Sequence, residues 1–195
     1  FWKVKDTAHA KALHKRILGN ILFNHEVKHY YQNCSTIFLP TESCKSYLPP
    51  TMYQNFHLLS PGAETVNFHK EAPKEIKKLI YVGSCKPPVY QVVNGFKAIL
   101  DCPNIHLTIV TRTNEHENLK TKLGENHKNL SILSASDQGL SEILQKQDIG
   151  LACVDTNEYW DLAMPVKVFD YIGHQSPILT FNHGDTAQFT NTNQL

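Results

Sequence analysis

A chain of 195 residues is long enough to bury a core, and its length implies one domain or one and a fraction. Its formal net charge of +1 excludes the strong basic excess of a dedicated nucleic-acid binder. Composition is that of a soluble globular protein, 41% hydrophobic and 19% charged, with no run of about 18 apolar residues that could span a membrane.

Residues 1–32 carry six Lys/Arg against two Asp/Glu, which reads as a solvated helix face rather than a patch for an anionic surface. Cys34, Cys44, Cys85, Cys102 and Cys153 are odd in number, widely spaced and without a C-x-x-C pair. They indicate neither a zinc ribbon nor a disulfide framework and point to a reducing compartment. The sequons at Asn33 and Asn129 are read as chance. The chain begins at Phe1 without Met and reads as a fragment.

Along the chain, Leu13, Ile17, Ile21, Val27 and Tyr30–Tyr31 repeat at three- to four-residue spacing, which predicts helix over about 7–32. Thr36–Leu39 and Phe56–Leu59 are short β-rich runs closed by Pro40 and by Ser60-Pro61-Gly62. The stretch from Gly62 to about residue 77 has no sustained apolar period and reads as a linker. A regular alternation follows. Strands are predicted at Leu79–Val82, His106–Val110, Leu130–Leu133, Ile149–Val154 and Pro177–Phe181. Helices are predicted from near Pro87-Pro88 through Leu100, over Glu115–Asn126, over Leu140–Gln147 and over Met164–Gly173. Short apolar strands alternating with helices imply α/β architecture, a Rossmann-like parallel sheet with helices on both faces. The predicted domains are 1–61, a 62–77 hinge and 78–195.

Three motifs carry chemistry. His25-Glu26-Val27-Lys28-His29 is a literal H-E-x-x-H, which on a helix would offer two histidines to zinc. Lys28 beside the supposed metal, the lack of a further ligand motif and the following βαβ array make it a coincidence. Gly83-Ser84-Cys85-Lys86 follows the first strand of the array, where Rossmann-like domains hold phosphates. The absence of G-x-G-x-x-G disfavours a dinucleotide cofactor, and a plain tight turn is an equal reading. Met164-Pro165-Val166-Lys167-Val168-Phe169-Asp170-Tyr171-Ile172-Gly173 starts with a helix-initiating proline and ends at a helix-stopping glycine. A helical wheel gathers Val166, Phe169, Ile172 and Gly173 on one side, with Lys167, Asp170, Tyr171 and His174 on the other. Such a helix offers an ammonium and a dipole end to a diphosphate and a carboxylate to ribose hydroxyls. Spacing alone favours a surface ion pair instead. The preceding loop, with Tyr159, Trp160 and Asp161, either shapes a sugar or base pocket or caps the core.

The span Leu79–Phe181 resembles the C-terminal domain of GT-B glycosyltransferases of the large family four. The likeness rests on Tyr81-Val82-Gly83, on Gln147–Leu151, and above all on Met164–Gly173 running into Ser176-Pro177-Ile178. Ser60-Pro61-Gly62-Ala63-Glu64 stands where that family has its hinge. The sequence departs from the family in three places: Leu162 stands at the first of its two acids, Gly83-Ser84 replaces its Gly-Arg, and the Lys expected a few residues later is absent. Lys86 and Lys167 are left as the substitutes for diphosphate binding. The resemblance implies a retaining hexosyltransferase-type enzyme, here about half of one and so inactive alone. It would bind a nucleotide-diphosphate sugar without a metal or cofactor and transfer the sugar to a glycan or lipid-linked acceptor in surface polysaccharide synthesis. The implied donor site comprises Gly83, Ser84, Lys86, Tyr159, Pro165, Lys167, Asp170 and Tyr171, with no catalytic residue assigned. No nucleic-acid partner is expected. The expected location is the cytoplasm at the inner membrane face, with peripheral membrane association through the N-terminal domain. Two rivals are a non-catalytic α/β nucleotide-binding or regulatory module and a GT-B-like nucleotide-sugar epimerase.

Overall fold

The computed structural model describes residues 17, 21–22, 24–25, 29–66, 75–86, 92–124, 127–153 and 158–195. The chain divides into two compact units, one of residues 1–61, 156–164 and 183–189, the other of 62–155, 165–182 and 190–195. The first boundary falls at Pro61/Gly62, inside the hinge-like Ser60–Glu64. Two later segments group with the first unit rather than with 78–195, and hydrogen bonding is the reason. Thr41 Oγ1 donates to Leu162 O at 3.0 Å, and Ser43 Oγ donates to Asp185 Oδ1 at 2.6 Å.

In the first unit, β1 (Ile37–Leu39) and β2 (Phe56–Leu58) pair in parallel, joined by two 3-10 turns over Glu42–Tyr47 and Pro50–Asn55. Met52 is buried against Tyr31 and Ile37, while Phe38 and Leu58 are exposed. Of the helix predicted over 7–32, residues 17, 21–22, 24–25 and 29 are helical, and the rest, up to 28, lie outside the described residues. His25 and His29 of the H-E-x-x-H stack with ring centroids 4.3 Å apart; Glu26 and Lys28 lie outside the described residues. Among the described residues no three potential ligands cluster for a metal.

The second unit is built on five parallel strands: β3 (Lys78–Val82), β4 (His106–Val110), β5 (Leu130–Leu133), β6 (Ile149–Leu151) and β7 (Ile178–Leu179). They lie in the order β5-β4-β3-β6-β7. Strand order therefore reverses between β3 and β6, the switch point outside which open α/β sheets bind ligands. Continuous apolar runs suit strands covered on both faces, and Ile80, Tyr81, Leu107 and Ile109 are fully buried. The flanking helices are α1 (Val93–Leu100), α2 (His116–Leu123), α3 (Asp137–Leu144) and α5 (Val166–Gly173). In the chain between β6 and α5 comes the short α4 (Glu158–Leu162), which belongs to the first unit and stands where the sequence suggested only loop. The last helix, α6 (Gly184–Asn193), has no apolar stripe in its sequence and was not anticipated. The stretch Pro87–Gln91, where a helix was expected to begin, lies outside the described residues. Helix α3 starts three residues earlier than its apolar period suggests, after an extended Ser136 whose carbonyl accepts from the Leu140 N–H at 3.3 Å. Among the described residues no helix is long and apolar enough to cross a membrane.

One packing contact fixes α5 on the sheet. Tyr171 is fully buried, and with Ile80, Val110 and Leu144 it forms the core cluster. Its hydroxyl accepts from the Val82 N–H at 3.1 Å and donates to Leu151 O at 3.1 Å, with Ile80 O at 3.3 Å. A single phenol thus bridges β3 and β6 at the switch point, satisfying backbone groups that water cannot reach. The ring lies directly on Gly150, where any Cβ would collide with it. We expect Gly150→Ala to destabilise the chain by about 1–3 kcal/mol, the usual cost of overpacking, in urea unfolding. In a Tyr171→Ala background the same substitution should cost far less, because the colliding ring is gone; equal costs in the two backgrounds would refute this contact.

Candidate functional site

Past the end of β3 the chain turns at Gly83, whose N–H donates to Val110 O at 2.9 Å. Gly83 has φ +131°, open mainly to glycine, and a Cβ there would come within 3.3 Å of Lys167 Nζ. Lys167 stands in the first turn of α5, behind Pro165 at the N-cap. It is only 8% exposed, and its ammonium has no hydrogen-bond partner among the described residues. Instead it lies 3.7 Å from the centroid of the Tyr81 ring, a cation–π contact. Burial pushes its pKa down from 10.5 to about 7, opposed by nearby Cys85 and Cys153. The Tyr81 hydroxyl donates onward to Ser84 O at 2.9 Å, and the ring packs edge-on against Phe96 of α1.

The loop after β3 is held from below by Glu115, a residue the sequence reading passed over. Its carboxylate accepts from Ser84 Oγ at 2.7 Å, from the Cys85 N–H at 2.7 Å and from Thr111 Oγ1 at 3.1 Å. Burial alone would raise its pKa; those three donors and nearby Arg112 outweigh it and hold the carboxyl below its usual range. The Ser84 hydroxyl is therefore committed to the loop, donating to Glu115 while accepting from the Lys86 N–H at 3.2 Å. Over the carboxyl ends of β3, β4 and β5 opens a crevice of about 620 Å³. Its lining includes Gly83, Ser84, Arg112, Thr113, Ser134 and Ser136. Arg112 and the hydroxyls of Thr113 and Ser134 were also missed, although their position just beyond the second and third strands of a parallel array was a usable signal.

Of the other residues picked from sequence, Asp170 is half-buried one turn after Lys167. Its carboxylate has no hydrogen bond among the described residues. Burial raises its pKa, opposed by His174. His174 itself joins Asp170 O to Ser141 Oγ of α3, at 2.7 and 2.9 Å. Lys86 is exposed beyond the loop. Tyr159 falls in α4, and its side chain lies outside the described residues.

The helical wheel needs correction. Val166 is 62% exposed, whereas Lys167 and Tyr171 from the supposed outer side are buried with Val168 and Phe169. The inward side of α5 meets backbone edges, which the phenol hydroxyl of Tyr171 satisfies, and a glycine turn, against which the Lys167 amine lies with no acceptor among the described residues. Tyr171 accordingly spans two strands through its hydroxyl, and as a donor-binding contact it is reassigned to the core.

No protein-family description matches the chain, and no curated protein matches it by sequence. Solved structures do. WaaG, a glycosyltransferase involved in lipopolysaccharide biosynthesis, superposes with a TM-score of 0.63 at 16% identity, over 97% of this chain and 54% of its own. The GtfA/B complex gives 0.59 at 15% identity, over 87% and 34%. A glycosyltransferase from Rickettsia africae gives 0.58 at 12% identity, over 87% and 51%. The chain thus spans about half or less of each. It has a glycosyltransferase fold, its five-stranded parallel sheet corresponding to the Rossmann-like half of the GT-B architecture.

Proposed function

We propose that the second unit binds a nucleotide-diphosphate sugar, as the donor half of a retaining hexosyltransferase acting on a glycan or lipid-linked acceptor in surface polysaccharide synthesis. The observation that carries this reading is Lys167. A buried ammonium without a hydrogen-bond acceptor is costly, and this one lies beside a glycine turn at a topological switch point. A diphosphate supplies both the missing acceptors and the counter-charge. In the intact enzyme Lys167 and the α5 N-terminus would stabilise the leaving diphosphate electrostatically. Asp170, with its carboxylate unengaged, would take the ribose hydroxyls. No metal is required by this arrangement, and the missing half of the enzyme would bring the acceptor groups.

Calorimetric titration of the 195-residue chain with UDP, GDP and dTDP sugars tests the reading. One of them should bind with undiminished affinity in EDTA. Lys167→Met should weaken it by about tenfold or more, the range of hydrogen bonds to charged groups. Asp170→Asn should weaken it less, by about 1 kcal/mol. Absence of binding by all three, or full affinity in Lys167→Met, would sink the proposal.

The same ammonium has a stability consequence of definite sign. With its folded pKa near 7 against 10.5 unfolded, the unfolded chain holds the extra proton between those values, so stability rises with pH. The thiols of Cys85 and Cys153, raised by burial from 9.0 to about 12 and about 11, act oppositely but only above pH 9. Between pH 7 and 9 urea unfolding should therefore show increasing stability, with a slope of up to about 1.4 kcal/mol per pH unit. Lys167→Met should be more stable than the parent at pH 7 and lose that slope. A parent and a variant with identical pH profiles would contradict the burial of this charge.

A further inference from the structure

The crevice over β3, β4 and β5 holds one charged side chain among the described residues lining it, Arg112. Lys167 is half-titrated near neutrality, whereas a guanidinium is permanently charged. Arg112 enters no salt bridge among the described residues. The Glu115 carboxylate feels its charge only through space and already receives three hydrogen bonds, from Ser84, Cys85 and Thr111. The guanidinium thus stays available at the crevice wall.

Its backbone is held on both sides. Thr111 donates its N–H to Leu133 O at 2.9 Å and its hydroxyl to Glu115, and the Glu115 N–H returns to Arg112 O at 2.9 Å. The Arg112 stem therefore leaves a fixed turn between β4 and α2, while the tip remains exposed. Around it the lining offers the Thr113 and Ser134 hydroxyls and Ser136 at the N-cap of α3. Among the described residues no carboxylate lines the crevice. The Ser84 hydroxyl is spent on Glu115, so the described residues of the loop after β3 that line the crevice, Gly83 and Ser84, supply backbone and shape but no cation.

We propose that Arg112 is the permanent phosphate-binding cation of this site, ion-pairing with a phosphate of the nucleoside diphosphate and laying it across the β3–β5 crevice. The inference rests on the donor-binding reading above. Arg112 then works with Lys167 from another element: one charge is fixed and exposed, the other is buried and titrating.

Titration calorimetry with UDP, GDP and inorganic pyrophosphate, on the parent, Arg112→Gln, Arg112→Lys and Lys167→Met, decides it. Arg112→Gln should weaken the nucleotide that binds and pyrophosphate by the same factor, tenfold or more. It should also flatten the dependence of affinity on KCl concentration, and Arg112→Lys should recover part of the loss. Unchanged affinity in Arg112→Gln alongside a loss in Lys167→Met overturns this inference and leaves the donor reading standing. Weakened nucleotide with unchanged pyrophosphate overturns it too, because the contact would be to the nucleoside. Failure of UDP and GDP alike to bind the parent overturns both. Arg112 is exposed, and its effect on Glu115 is the smallest of those acting on that carboxylate, so the Arg112 variants should unfold in urea close to the parent.

Discussion

The second unit is organised around an amine whose hydrogen-bonding capacity is unused. Lys167 Nζ lies over the face of Tyr81 and against Gly83, shielded from water and without an acceptor among the described residues. The aromatic face offsets part of the desolvation penalty, and the depressed pKa offsets more by letting the proton leave. Neither removes the cost of burying three potential donors. Several features around it are arranged so that this amine can be where it is. Gly83 gives it room, and Tyr81 is anchored through its hydroxyl to Ser84 O. Glu115 clamps the turn that follows.

What brings the amine there is the seating of α5. Tyr171 and Gly150 form a ring-on-backbone contact with no room for a Cβ between them, and the phenol hydroxyl ties together the two strands flanking the switch point. Lys167 and Tyr171 are one helical turn apart, so fixing the tyrosine fixes the lysine. Segment 62–66 braces the other end of the helix: the Val66 N–H donates to Gly173 O at 3.1 Å, and the Glu64 carbonyl closes over the glycine. The stable core and the costly ammonium are therefore consecutive features of one helix.

The parallel array was legible in the sequence because each strand is a short apolar run with its own stop signal, and β5 in particular spans the residues that its pattern indicates. The polar GDTAQFTNTN segment that forms α6 carries no period-3.6 stripe, and α4 is too short to show one. Lys167 could be chosen from its place after a proline at a helix start, but its burial could not. A wheel sorts residues by polarity, whereas the surface that α5 faces is made of backbone edges and a glycine turn. Glu115 and Arg112 escaped notice for a related reason. Thr-Arg-Thr-Asn-Glu carries no motif of its own. Its place just beyond a strand of a parallel array marks it as near a ligand crevice, but that Glu115 reaches the loop after β3 follows only from the pairing of β4 with β3.

The central claim is that a phosphate completes Lys167, and proton uptake on binding tests it most directly. At pH 8 the free amine is mostly neutral, with its pKa near 7. A phosphate beside it should restore the charge. Calorimetric titration with UDP or GDP in buffers of different ionisation enthalpy measures the protons taken up. The account predicts uptake approaching one proton at pH 8 in the parent and none in Lys167→Met. Nucleotide binding with no proton uptake, or with equal uptake in both proteins, would contradict it.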